Sequence, residues 1–317
     1  MKIEVITPTP RSRKGNWITA ARWARILRQF GHRVTIRQEY SGHGSDILIA
    51  LHAQKSFPSI ERFHQQHPDH PLLLAMTGTD IYRDIRDHHE ARQAMAWADR
   101  LILLQPEGQE ELAAELRSKA RVIRQSAVPT RSRIPKTRRW FDICVVGHLR
   151  PVKDPLRAAE AARLLPPSSR IRIVHAGAAL SSEMEIQARA EMATNPRYRW
   201  LGDLPQWKIR RLMARSQVMV LSSLMEGGAN VISEAVVANL PVISSRISGS
   251  IGMLGEDHQG YFEVEDSEGL ANLLLKCETE QKFLGELTRR SRALAPLFHP
   301  DRERQAWGEL LQELRAP

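Results

Sequence analysis

Apolar residues along the chain switch repeatedly between two periods. Short unbroken or alternating runs, as strands require, give way to stretches with an apolar residue every third or fourth position, as helices require. Lys2 to Thr7 reads as a first strand, residues 8–16 as a loop, and Trp17, Ala20, Ala24, Leu27 and Phe30 as a helical stripe running up to Gly31. Asn16 is the expected N-cap of that helix. Strands follow at 34–36 and 46–51, then a helix at 59–67, a strand at 72–76 and the turn Thr77-Gly-Thr-Asp80. A helix at 87–97, a strand at 100–104, a helix at 107–118 and a strand at 121–123 complete the series.

After a stretch without periodicity the pattern restarts. A strand at 141–146 leads into the loop Gly147 to Asp154, with Asp154 as cap and Pro155 as the first residue of a helix. Strands at 171–175, 198–201, 218–221 and 241–244 alternate with helices at 182–193, 205–214 and 229–238, and the tail carries helical segments near 267–277, 280–294 and 301–314. Such alternation implies parallel sheets covered by helices. The expected fold is α/β, two doubly wound Rossmann-like domains whose strand ends face a central cleft. The expected division is 1–126, a linker at 127–140, a second domain at 141–295, and a C-terminal helix at 296–317 that fold analogy carries back to the first domain.

Composition narrows the class. The 317 residues suffice for two cores, and 26% charged residues is ordinary for a soluble protein. No run is apolar for the length of a membrane span, and the start reads as a strand rather than a signal peptide, so a cytoplasmic protein is expected. Two distant cysteines, Cys144 and Cys277, form neither a disulfide framework nor a metal cluster. The formal net charge of +10 suits an anionic partner but does not choose one. The densest basic run, from Arg131 to Arg139, lacks interleaved aromatics and reads as a solvated linker, so no nucleic-acid partner is expected.

One stretch carries more specific chemistry. Glu226-Gly-Gly-Ala-Asn-Val-Ile-Ser-Glu234 follows the apolar run Val218 to Leu221 and leads into a helix. A glycine turn between strand and helix aims backbone N–H groups and the positive end of the helix dipole at one point, where an anion can be held. The flanking carboxylates can accept sugar hydroxyls. On its own such a turn is more often a tight connection with two solvated glutamates.

Together with Gly147-His-Leu-Arg-Pro-Val-Lys153, Leu201-Gly-Asp-Leu-Pro205 and Pro241-Val-Ile-Ser-Ser, it resembles the ordered donor-site motifs of GT-B glycosyltransferases of family 4. That resemblance implies that Glu226 contacts the donor sugar, Glu234 the ribose and Lys153 the diphosphate. It also implies that Leu204, Gly227, Gly228, Ala229, Asn230 and Val231 line the UDP-sugar. His148 stands where the family usually has arginine, and whether Arg150 supplies the missing cation is open. The resemblance implies no metal and no cofactor beyond the UDP-sugar substrate.

Over residues 1 to about 265 the chain further resembles the selenosugar synthases of selenoneine biosynthesis, through residues 7–16, 51–53, 77–84, 147–155 and 226–235. This implies transfer from UDP-N-acetylglucosamine or UDP-glucose to selenophosphate, with neighbouring pathway enzymes as partners. Selenophosphate is an anionic, soft nucleophile that calls for cations rather than a base. The expected acceptor residues are Arg11, Arg13, Lys14, Gly15, Asn16, His52, Thr77, Gly78, Thr79 and Asp80. Lys153, Arg150, Glu226 and Asp80 are the expected catalytic set. For Arg11 and Arg13 a solvated loop, for Asp80 an N-cap and for His52 a structural histidine are the competing roles. An alcohol or lipid acceptor and, from another class, a basic nucleic-acid-binding protein are the alternative functions.

Overall fold

The computed structural model describes residues 1–8, 15–128, 134–137 and 139–314, with Thr79 described by its backbone alone. Arg11, Arg13 and Lys14, and residues 129–133 and 138 of the linker, lie outside the described residues. The chain divides into two compact units, Met1–Gln125 with Pro300–Pro317, and Ser126–His299.

In the first unit, β1 (Lys2–Ile6), β2 (Arg33–Arg37), β3 (Ile47–Leu51), β4 (Leu72–Met76), β5 (Arg100–Leu103) and β6 (Ala120–Val122) form one sheet in the order β2-β1-β3-β4-β5-β6. Every pairing is parallel. All residues of β3 and β4 are buried, as parallel strands covered on both faces must be. On one face the helix Gly15–Gln29 buries Ala20, Trp23, Ala24 and Leu27, at the spacing that places them on one stripe. The same core takes Trp307, Leu310 and Leu311 from the helix Pro300–Glu313, so the last helix of the chain belongs to the first unit.

The second unit holds β7 (Phe141–Val146), β8 (Ile171–Ala176), β9 (Tyr198–Trp200), β10 (Val218–Leu221), β11 (Val242–Ser245) and β12 (Tyr261–Phe262) in the parallel order β12-β11-β10-β7-β8-β9. From β7 the chain winds one way through β8 and β9, and from β10 the other way through β11 and β12. The switch therefore falls between β7 and β10, which pair directly through Ile143 and Val218. The carboxyl ends of those two strands bound the crevice where doubly wound sheets take ligands.

Several local expectations are corrected. The helix expected at 107–118 is a 3₁₀ turn, Pro106–Gln109, and a short helix, Ala114–Arg117. Pro106 and Gly108 are poor helix formers, and a Cβ on Gly108 would lie 2.8 Å from Ile81 Cδ1, so the close turn suits them better. Asp154 does not cap a helix beginning at Pro155. It sits in the left-handed region at φ 42° and turns its carboxylate to Arg157 Nε at 2.7 Å, and the helix starts at Arg157. Asn16 is inside the first turn of a helix that begins at Gly15, not its cap. The helix Ser248–Leu254 and the two-residue strand β12 were not expected at all.

Candidate active site

Four loops of the second unit leave the carboxyl ends of β7, β8, β10 and β11. The first, Gly147-His-Leu, is drawn against the loop after β8: Gly147 N–H donates to Ala176 O at 3.0 Å and Leu149 N–H to Ala178 O at 2.9 Å. A Cβ on Gly177 would lie 1.8 Å from Gly147 O, so only glycine allows this approach. The N–H of Ala178 donates to His148 Nδ1 at 3.1 Å, which leaves Nε2 as the proton-bearing nitrogen of a neutral His148 ring.

Beneath this loop lies a histidine with no counterpart among the expected residues. His175 on β8 is buried; its Nε2 lies 3.1 Å from Gly147 O and its Nδ1 3.0 Å from the Tyr198 hydroxyl. Nε2 donates to the carbonyl and Nδ1 accepts from the phenol. Burial pushes the imidazole down to about 4, so it is a neutral prop for the first loop. Its sequence signal is a histidine within the apolar run Ile173 to Ala176.

The loop from Arg150 to Lys153 brings the key cation. Lys153 Nζ forms an ion pair with Glu226 Oε1, although 73 positions separate them. The same oxygen accepts from Ser223 Oγ at 2.6 Å. Ser222 Oγ donates to Asp154 O at 2.8 Å, holding the end of the Lys153 loop. His148, Lys153, His175, Ser222 and Ser223 line one small pocket. Neither serine was expected; the signal available was a polar pair directly after the apolar run of β10. Arg150 is exposed on the same loop.

Past the turn, Gly227 and Ala229 are buried and Gly228 half-buried, and the helix Asn230–Val237 begins with Ala229 as N-cap. Asn230 opens that helix, and Val231 packs on the core together with Leu204. Glu234, one turn into the helix, accepts from Gln206 Nε2 at 2.8 Å. The structure thus brings Lys153 and Glu226 into contact, and places Glu234 on the adjoining helix.

In the first unit the strand ends of β3 and β4 come together through one carboxylate. Asp80 is fully buried and accepts from Gly78 N at 2.6 Å, Thr77 N at 3.2 Å and Ala53 N at 3.3 Å. Asp80, expected in the catalytic set, thus clasps two loops, with three N–H groups donating to its oxygens. His52 follows β3 with φ 77°, a left-handed conformation that strains a non-glycine residue. Its ring is buried, with Nε2 3.6 Å from Asp84 Oδ2 and without a hydrogen-bond partner. Burial lowers its affinity for a proton, opposed by Asp80. The hydroxyls of Thr77 and of Thr7, after β1, are also buried without partners. Gly15 and Asn16 stand in the first turn of their helix, and Gly15 O accepts from Thr19 Oγ1 at 3.0 Å.

Residues 130–293, more than half of the chain, match the family described as glycosyl transferases group 1. The chain belongs to the group 1 glycosyl transferases. Solved structures of other proteins share its fold. The Anabaena protein Alr3699/HepE, crystallised with UDP and glucose, superposes with a TM-score of 0.78 over 99% of this chain and 100% of that one, at 17% identity. The sucrose-phosphate synthase of Thermosynechococcus elongatus superposes at 0.77 over 99% and 98%, at 15% identity. These likenesses establish the GT-B fold. A relative in Escherichia coli, UDP-Gal:alpha-D-GlcNAc-diphosphoundecaprenol alpha-1,3-galactosyltransferase, is 30% identical over 49% of this chain, and the match spans 41% of that protein. Among the described residues no helix of this group 1 chain is long and apolar enough to cross a membrane.

Proposed function

We propose that this group 1 glycosyl transferase moves a sugar from a UDP-sugar to selenophosphate, forming a carbon–selenium bond. The observation that carries the donor half is the contact between Lys153 and Glu226 at the switch between β7 and β10. A cation and a sugar-binding carboxylate side by side suit the junction of a diphosphate and a sugar. Lys153 would hold the diphosphate, Glu226 the sugar and Glu234 the ribose, with Gly227 to Asn230 lending backbone N–H groups at a helix start. UDP bound to HepE and the UDP-sugar named for the E. coli relative support this donor class.

In the reaction a selenium lone pair attacks the anomeric carbon, the bond from that carbon to the UDP oxygen breaks, and its electron pair leaves with UDP. Lys153 stabilises the charge gathering on the diphosphate. No proton need be removed from an anionic nucleophile, which agrees with Asp80 being committed to three backbone N–H groups. The buried, unpartnered hydroxyls of Thr7 and Thr77 supply donors suited to an oxyanion, and Arg13 and Lys14 belong to the same proposed acceptor set. The selenium-specific part rests on the resemblance of the acceptor segments to selenosugar synthases. A second reading, a lipid-linked acceptor, is favoured by the similarity to the E. coli galactosyltransferase.

One incubation separates them: purified protein, UDP-N-acetylglucosamine or UDP-glucose, and a selenophosphate-generating system, followed by mass spectrometry. A sugar product bearing the selenium isotope pattern is expected, reduced about a hundredfold in Lys153→Ala by loss of leaving-group stabilisation. UDP release without such a product, together with transfer to a lipid-linked acceptor, would overturn the selenophosphate reading.

A further inference from the structure

Lys153 and Glu226 come from different loops, and the dipeptide Ser222-Ser223 touches both. We infer that these serines are positioning residues with divided labour, Ser222 setting the Lys153 end and Ser223 the Glu226 end, so that sugar and diphosphate recognition are adjusted separately. The inference rests on the donor roles proposed above for Lys153 and Glu226.

The geometry is specific on each side. Ser222 is buried, and its hydroxyl donates to Asp154 O at 2.8 Å and lies 3.3 Å from Lys153 O. The next peptide strengthens this grip: Leu224 N–H donates to Val152 O at 2.9 Å. Ser222 therefore acts on the main chain that carries Lys153. Ser223, also buried, donates its hydroxyl to Glu226 Oε1 at 2.6 Å, a charge-assisted bond that fixes the carboxylate.

Ser223 is itself held from below. Ser245, at the end of β11, donates its hydroxyl to Ser223 O at 2.6 Å. On the other side the helix Ser248–Leu254 presses its first turn on the Glu226 main chain, where a Cβ on Gly249 would lie 1.9 Å from Glu226 O. Carboxylate and backbone of Glu226 are thus both fixed by buried neighbours. A hydroxyl that only filled space would not meet the one oxygen that Lys153 also pairs.

Calorimetric titration of UDP and of UDP-glucose into the full chain tests the division. UDP carries the diphosphate but no sugar. Ser223→Ala is expected to weaken UDP-glucose about tenfold, the loss typical of a bond to a charged group, while UDP binding stays within about twofold. Ser222→Ala is expected to weaken both ligands by a similar factor. Ser223→Ala added to Glu226→Gln should cost little more than Glu226→Gln alone, since the two act through one carboxylate. Ser223→Thr, which keeps a hydroxyl, guards against a misfolded alanine variant and should retain more UDP-glucose affinity than Ser223→Ala. Equal weakening of UDP and UDP-glucose by Ser223→Ala, or additive losses with Glu226→Gln, would overturn the inference alone. Wild-type protein that binds neither ligand would overturn the donor reading and this inference with it.

Discussion

The Tyr198 hydroxyl stands 3.0 Å from His175 Nδ1, and the far side of the same ring supports the Gly147 carbonyl. A neutral imidazole is therefore wedged between β9 and the loop after β7. Burial also pushes the Tyr198 phenol above its ordinary value, so both members stay uncharged through the neutral range.

This pair makes stability depend on pH. His175 has an ordinary value of 6.5 when unfolded and about 4 when folded. The unfolded chain thus takes up a proton that the folded one refuses between those values. The contribution is fully present above about pH 6.5 and is lost as pH falls toward 4, amounting to about 3 kcal/mol at most. His52 and His258, also lowered by burial, act in the same direction. The urea midpoint should drop from pH 7 to 4, and His175→Gln should flatten part of that slope. An unchanged slope in the variant would refute this role.

Two glycines in contact should respond unequally. A Cβ on Gly177 would meet Gly147 O at 1.8 Å, whereas one on Gly147 has nothing within 4 Å. Gly177→Ala is expected to cost about 3 kcal/mol or more, since backbone must move to admit the methyl group. Gly147→Ala should leave the urea midpoint nearly unchanged. Equal midpoints for the two variants would contradict the close approach.

The last helix should prove essential to the first unit. Trp307 is fully buried with its ring centroid 5.0 Å from that of Trp23 at 68°, and Glu303 accepts from Trp23 Nε1 at 2.8 Å. Trp307→Ala should cost about 3–5 kcal/mol in chemical unfolding. Trp307→Phe should cost clearly less, because the indole Nε1 of Trp307 has no partner to lose and the ring is mostly retained. Equal losses would mean that packing area does not govern this contact.

The parallel, buried character of β3 and β4 was legible because their residues are apolar without interruption. The breaks at 107–118 and at Pro155 were not, because periodicity reports which way a side chain faces but not whether a tight turn suits the neighbouring backbone. Asp80 illustrates the same limit. Its residue type is equally fit for catalysis, capping or clasping, and its contact with Ala53 from another strand end could not be read from the sequence.

Sequence alone determined two α/β halves, and through the resemblance of its ordered motifs to GT-B glycosyltransferases it singled out Lys153, Glu226 and Glu234 as the residues proposed to hold a nucleotide sugar. Tertiary structure alone decided that Lys153 meets Glu226, that Ser222 and Ser223 hold the loops that bear them, and that His175 props the first loop. The reason lies in strand order. β7 and β10 are adjacent in the sheet although 75 positions separate Asp142 from Gln217 where the two strands begin side by side, as Gln217 N–H to Asp142 O at 2.8 Å attests. Local periodicity carries no record of which distant strand becomes a neighbour, and the site is built from that adjacency.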